Sequence, residues 1–295
     1  MKTTKLALIG FLLSSALNAH ADCIGLVTAS GGHAFWEEVE RGAEQAATEL
    51  GITLYTRGAA DENNVLAQRA LIERVTHLGC RGMVLAPNSD THREAVARMK
   101  AEGIPTVFVD RDIGGERVSV IKTDNEEAGA FAAREMIRAL GDPGLIAVFR
   151  MDPAVVTTTE REEAFIRVLE NSGINLVVAD YVGTQVGQAR SMAYDLLVAY
   201  PDIEVVFTPN ESTSLGTMAA INRLPLTDRP GHIGFDASPL LTQAVEDGVM
   251  LGLVVQSPYQ MGYQSVRTVY QAMNDEFVEL YQSVPVTFMG QDHAR

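Results

Sequence analysis

Thr106-Val107-Phe108-Val109-Asp110-Arg111 decides how the rest of the 295-residue chain is read. Four β-favouring or apolar residues in a row describe a strand buried on both faces, the kind found inside parallel sheets. The strand then stops on a carboxylate and a guanidinium. In an open parallel α/β sheet the carboxyl ends of the strands face the ligand crevice. Asp110 and Arg111 are therefore expected to meet something polar, because a buried charge stripped of its partner costs about 3–5 kcal/mol.

On both sides of this stretch, β-type runs alternate with helical patterns, from Ile24–Thr28 and Phe35–Leu50 to Leu251–Val255 and Tyr259–Met273. Such alternation implies βαβ units and parallel sheets. The series also repeats. Gly51-Ile52 recurs as Gly173-Ile174, Leu54 as Leu176, Val84 as Val206, Pro87-Asn88 as Pro209-Asn210 and Thr91 as Thr213, each pair 122 positions apart. Past a short insertion, Val107-Phe108-Val109-Asp110 has its counterpart in Ile233-Gly234-Phe235-Asp236. The expected fold is α/β: two similar doubly wound parallel-sheet lobes joined by a three-strand hinge. Crossings near Thr123-Asp124, Gln256-Ser257 and Ser283-Val284 give an amino-terminal lobe of residues 22–123 plus 257–283. The carboxyl-terminal lobe is then 124–256 plus 284–295.

Residues 1–21 read as a signal peptide. Lys2 and Lys5 precede an apolar run from Leu6 to Leu17, and Ala19-His20-Ala21 forms a cleavage box before Asp22. The run is too short to span a bilayer, so a periplasmic protein cleaved after Ala21 is expected. Loss of the two lysines takes the formal charge from −15 to −17. That acidity repels phosphates and argues against a nucleic-acid partner. Export permits a disulfide. Cys23 opens the first strand and Cys80 precedes another, so a bridge stabilising by about 4 kcal/mol is expected, with two free thiols as the alternative. No metal-ligand spacing or P-loop occurs, and no cofactor is expected.

Right-handed connections put the strand-to-helix turns of each lobe on one side. They collect His33, Phe35, Trp36, Asn88, Asp110 and Arg111 in the first lobe. In the second they collect Arg161 at a helix start, then Asn210, Asp236 and Gln256. This set suits a small neutral polyhydroxylated ligand, since each hydroxyl donates once and accepts twice. Aromatic planes take the C–H face of a sugar ring. The paired carboxylates argue against a phosphorylated or carboxylated ligand. Plainer duties compete: Phe35 as core, Asn88 and Asn210 as helix caps, Arg161 as a surface ion pair, His33 as a solvent-facing loop residue. An enzyme would use Ser212-Thr213-Ser214-Leu215-Gly216, but the first glycine of a nucleophile elbow is missing and the base would be His293.

Several motifs follow in order: Phe35-Trp36 with Arg41-Gly42-Ala43, Pro105 to Asp110-Arg111, Thr123-Asp124-Asn125 and Glu160-Arg161 with Phe165. Phe207 to Asn210 with Leu215-Gly216, Gly234-Phe235-Asp236, and Gln256 with Pro258, Gln260 and Gly262 come after them. The sequence thereby resembles the periplasmic sugar-binding proteins of the ribose/galactose type, which share the fold of LacI-type repressor ligand domains, from about Ile24 to Val286. The resemblance implies that Phe35, Trp36, Asp110, Arg111, Arg161, Asn210, Asp236 and Gln256 contact a sugar. His33 takes a place where ribose binders carry an Asn. Ala86 departs from a contacting Asn of those binders, and Thr184 from a second-lobe aromatic.

A monomer is expected that captures a monosaccharide or small polyol, closes on it by a hinge motion and delivers it to the membrane permease of an ABC importer. A sensor that presents its bound form to a membrane histidine kinase or chemoreceptor shares the same lobe contacts. On closure, Arg111 with Asp110 and Arg161 with Asp236 are expected to find partners only through the ligand.

Overall fold

The alternation of the sequence becomes an alternation of elements. The computed structural model describes residues 23–141 and 144–290; the expected signal peptide, its cleavage site and His293 lie outside them. The first series is β1 (Cys23–Thr28), α1 (Ala34–Leu50), β2 (Thr53–Gly58), α2 (Val65–His77), β3 (Gly82–Leu85), α3 (Arg93–Ala101), β4 (Thr106–Val109) and β5 (Ser119–Thr123). The second begins with α4 (Asn125–Leu140), β6 (Ile146–Arg150), α5 (Val156–Asn171), β7 (Leu176–Tyr181) and α6 (Val186–Ala199). It continues with β8 (Val205–Phe207), α7 (Glu211–Ile221), β9 (Gly231–Phe235), α8 (Pro239–Glu246) and β10 (Gly252–Val255). α9 (Pro258–Met273), β11 (Tyr281–Val284) and β12 (Thr287–Gly290) follow.

Two six-stranded sheets result, in the orders β11-β5-β4-β3-β1-β2 and β12-β10-β9-β8-β6-β7. Position for position the orders agree, so the repeat seen in the residues is a repeat of topology. The chain passes from one sheet to the other after β5, after β10 and after β11. The last edge differs between lobes: β11 runs parallel to β5, whereas β12 runs antiparallel to β10. These two strands are only four residues each, too short to show a period, and the sequence did not reveal them.

Both sheets are covered on both faces, which is why strands such as β4 are buried throughout. In the first lobe α1 and α9 bury Val39, Ala43, Met261 and Val266 against one face, and Ile72, Val75 and Val96 cover the other. Gly262 makes the α1–α9 contact close, because a Cβ there would stand 1.9 Å from the Val39 carbonyl oxygen. In the second lobe α4 and α5 cover one face with Ala132, Phe165 and Leu169, and Ala189 and Ala220 lie on the other. Cys23 and Cys80 are joined by a disulfide across 57 residues, and β1 pairs with β3 directly beside it.

Candidate functional site

The strand ends of the two lobes border one shared space that is partly open to solvent. Nine of the ten strand-end residues collected from the sequence line it: His33, Phe35, Trp36, Asp110, Arg111, Arg161, Asn210, Asp236 and Gln256. Asp110 and Asp236 end equivalent strands and share a further trait. Their φ angles are 65° and 69°, the left-handed region that non-glycine residues rarely enter. Each still continues the sheet, with Asp110 N–H donating to Ile121 O and Asp236 N–H to Val254 O. The turn swings each carboxylate out of its strand, and such strain, about 1–3 kcal/mol, gathers at functional sites.

In the first lobe the charges are already matched. Arg111 Nη2 donates to Glu62 Oε2 at 2.8 Å, and Nε to Asp110 Oδ2 at a weaker 3.4 Å. Burial works against the Arg111 charge, but Glu62 and Asp110 outweigh it and raise its pKa. Burial also pushes the Asp110 carboxyl above its ordinary range, with Arg111 and Arg161 opposing. Phe35 and Trp36, in the first turn of α1, meet edge to face at 4.9 Å between ring centres. Both rings also belong to the first core, so the core and cavity roles of Phe35 coexist. His33 is the half-buried N-cap residue of α1, and its side chain makes no capping hydrogen bond.

The second lobe solves the same problem with neutral partners. Asp236 Oδ1 accepts from Gln256 Nε2 at 2.6 Å and Oδ2 from the Glu211 N–H at 3.1 Å. Burial pushes the Asp236 carboxyl up to about 6, although Arg161 and the Gln256 hydrogen bond pull it down. Gln256 Oε1 in turn accepts from Thr123 and from Arg161 Nη2, both at 2.8 Å. Arg161 further donates from Nε to Asn125 Oδ1 and from Nη1 to Pro209 O, and lies over the Phe235 ring at 4.2 Å. Burial lowers its pKa against the pull of Asp236 and Asp110. Arg161 is 2% exposed, so it is no surface ion pair. Asn210 does cap α7, its Oδ1 accepting from the Thr213 N–H in a capping box.

Two expectations need correction. The arginines do not wait for a ligand to find partners: Arg111 has Glu62, and Arg161 holds three neutral acceptors instead of Asp236. A buried guanidinium left bare would be too costly to keep. Arg161 also does not start its helix, because α5 begins at Val156. The β-branched run Val155-Val156-Thr157-Thr158-Thr159 has low helix propensity and hid that first turn. Gly129 on α4 admits this part of α5, since a Cβ there would lie 2.1 Å from the Arg161 carbonyl oxygen.

The same hidden turn carries missed lining residues, Val155, Thr157 and Thr158, beside Met151 at the end of β6. Glu62, Glu211 and Ser212 were missed as well. Neither Ala86 nor Thr184 borders the space; both are buried elsewhere. Asn88 is also absent from the lining, with its Oδ1 meeting His92 Nε2 and Ser89 capping the turn beside it. Ser214 is fully buried, its Oγ beside Thr208 Oγ1 and accepting from the Phe235 N–H. It faces the second core, away from the cavity. No cluster of three His, Cys, Asp or Glu able to hold a metal occurs among the described residues.

Residues 24–276 match the periplasmic binding protein domain family. The chain belongs to that family. It is 27% identical over 272 residues to the ribose import binding protein of Escherichia coli K12, covering 90% of this chain and 91% of that protein. It is 26% identical over 277 residues to the D-allose-binding periplasmic protein of the same organism, covering 90% and 88%. The crystal structure of a periplasmic component of an ABC-type sugar transport system from Hahella chejuensis superposes with a TM-score of 0.85 at 32% identity. That match covers 90% of this chain and 99% of the other.

Proposed function

We propose that this periplasmic binding protein captures a neutral monosaccharide or small polyol between its lobes and hands it to the permease of an ABC importer. The observation that carries the reading is the pair Asp110 and Asp236. They come from opposite lobes, are both 5% exposed and border one space. A hydroxyl donating to an ionised acceptor makes a bond roughly twice as strong as a neutral one. Arg111 and Arg161 supply donors, and Phe35 and Trp36 the apolar wall that a ring face requires. Two carboxylates on one space also repel a ligand that brings its own negative charge. The relatives named for ribose and for allose, a pentose and a hexose, lie at nearly equal identity, so the sugar has to come from measurement.

Closure of two domains around a ligand is the established behaviour of periplasmic binding proteins as a class. The reading includes export, with cleavage after Ala21 leaving Asp22 as the first residue; the mass of protein recovered from the periplasm checks it. A thermal-shift screen across pentoses, hexoses, polyols and sugar acids tests the ligand class. A ligand at one hundred times its dissociation constant adds about 2.7 kcal/mol of stability. A neutral sugar is expected to raise the midpoint. A shift produced only by sugar acids or phosphates would overturn the reading.

A further inference from the structure

We propose that Glu211 is the positioning residue that registers the aromatic wall of one lobe against the ligand-facing carboxylate of the other. α1 lacks a cap of its own. His33, its N-cap residue, leaves the first-turn N–H groups without a side-chain acceptor, and such groups need a partner. The partner comes from the facing lobe. Glu211 Oε1 accepts from the Ala34 N–H at 3.2 Å and Oε2 from the Phe35 N–H at 3.0 Å. A carboxylate at a helix N-terminus meets both the free donors and the positive end of the dipole. The contact is enclosed, with Glu211 only 6% exposed.

Glu211 is the first residue of α7, and its own N–H donates to Asp236 Oδ2. A continuous chain therefore runs from Asp236 through Glu211 to the turn that bears Phe35 and Trp36. Parting of the lobes breaks the two carboxylate bonds and gives the α1 donors to water. Their meeting restores a cap that the local sequence does not provide. The Asn63–Asp152 hydrogen bond also crosses between lobes, but it is exposed and so weakened by competing water. Glu211 thus favours the closed arrangement before any ligand arrives, and a ligand that fixes Asp236 fixes the aromatic wall with it. The inference uses the two-lobe closure of the reading above and not the identity of the sugar.

The test reads the lobe separation without ligand, so its failure and failure of the sugar reading are distinguishable. Spin labels are placed on cysteines introduced at exposed Leu66 in the first lobe and Leu240 in the second; the native cysteines are bridged. Glu211→Ala is expected to lower the ligand-free closed population about tenfold, two charge-assisted bonds being lost. Ala34→Pro removes one donor from the other side. Proline is suited to the first helical position, and His33 before it is extended at φ −110° and ψ 143°, as a residue preceding proline should be. That variant is expected to shift the population in the same direction by a smaller factor. The double variant should match Glu211→Ala, because both changes remove the same contact. An unchanged separation in Glu211→Ala, even with lowered heat stability, overturns the proposal by assigning Glu211 a local structural role. Multiplying effects in the double variant overturn it equally. Should Ala34→Pro unravel α1 by circular dichroism, Glu211→Ala decides alone.

Discussion

Asp110 and Asp236 occupy the same place in twin lobes and are held in opposite ways. Asp110 is followed by Arg111, which Glu62 pins from another loop. Asp236 is followed by Ala237, and what touches it is an amide and a backbone N–H. The first half-site is an ion-paired cluster, whereas the second is a hydrogen-bonded network with a buried cation at its edge. A repeated fold has kept the backbone turn, φ near +65° in both, while the chemistry that steadies the carboxylate has diverged. Burial pushes the carboxyl up in both halves, and in the ion-paired half the adjacent Arg111 cation opposes it. The neutral half is left with a carboxyl that titrates near physiological acidity.

The contrast between lobes reaches the scaffold, and there its largest consequence is expected. Both cysteines lie in the first lobe, and loop-closure entropy gives the Cys23–Cys80 bridge about 4 kcal/mol. Cys23→Ser with Cys80→Ser should lower the first lobe's stability by that order, splitting heat unfolding into two steps in a calorimetric scan. A single unsplit transition at the wild-type temperature would remove the asymmetry.

Next in size are the carboxylates themselves. Asp110→Ala and Asp236→Ala should each weaken sugar binding about a hundredfold or more in calorimetric titration, from loss of charged hydrogen bonds. Their stabilities should differ. Asp110→Ala leaves Arg111 on Glu62, whereas Asp236→Ala orphans the Gln256 amide and the Glu211 N–H at about 1–3 kcal/mol. Equal losses in urea unfolding would mean that the two halves are built alike after all.

The smallest effect is one of pH. With the Asp236 carboxyl pushed up to about 6 from its ordinary 3.8, the folded protein holds a proton between those values that the unfolded chain has released. This group's contribution to stability is therefore full below about pH 4 and is lost as pH rises through 6. Binding runs the other way, because sugar hydroxyls that donate need the ionised form. Affinity should be about tenfold weaker at pH 5 than at pH 7, and Asp236→Asn should flatten that profile. A pH dependence that survives this substitution would have to come from another group.

Much of this was legible in the sequence for identifiable reasons. Asp110 and Asp236 stood out because each closes an apolar strand, where a charge has no structural excuse. The lobes stood out because the same residues recur at one spacing. Arg161 was collected as a helix-start residue and strengthened by resemblance, while the acidic residues around it left a surface ion pair open. Glu62 gave no signal at all: its tie to Arg111 spans 49 positions and exists only after folding. Glu211 looked like an ordinary acidic residue in a helix's first turn, and its reach to α1 is a tertiary fact. Thr157 and Thr158 were lost to a helix start written in β-branched residues.

Trp36 is the chain's only tryptophan, is 3% exposed and borders the interlobe space, so the protein's tryptophan emission comes from a single ring on that space. The decisive measurement titrates Trp36 fluorescence with the sugar that most stabilises the protein, in the wild type and in Asp110→Ala and Asp236→Ala. The account expects a saturable change in the wild type that is lost in both variants. A sugar that protects the protein from heat while leaving Trp36 emission unchanged would be bound elsewhere, and the claim that the two carboxylates share one ligand would fall.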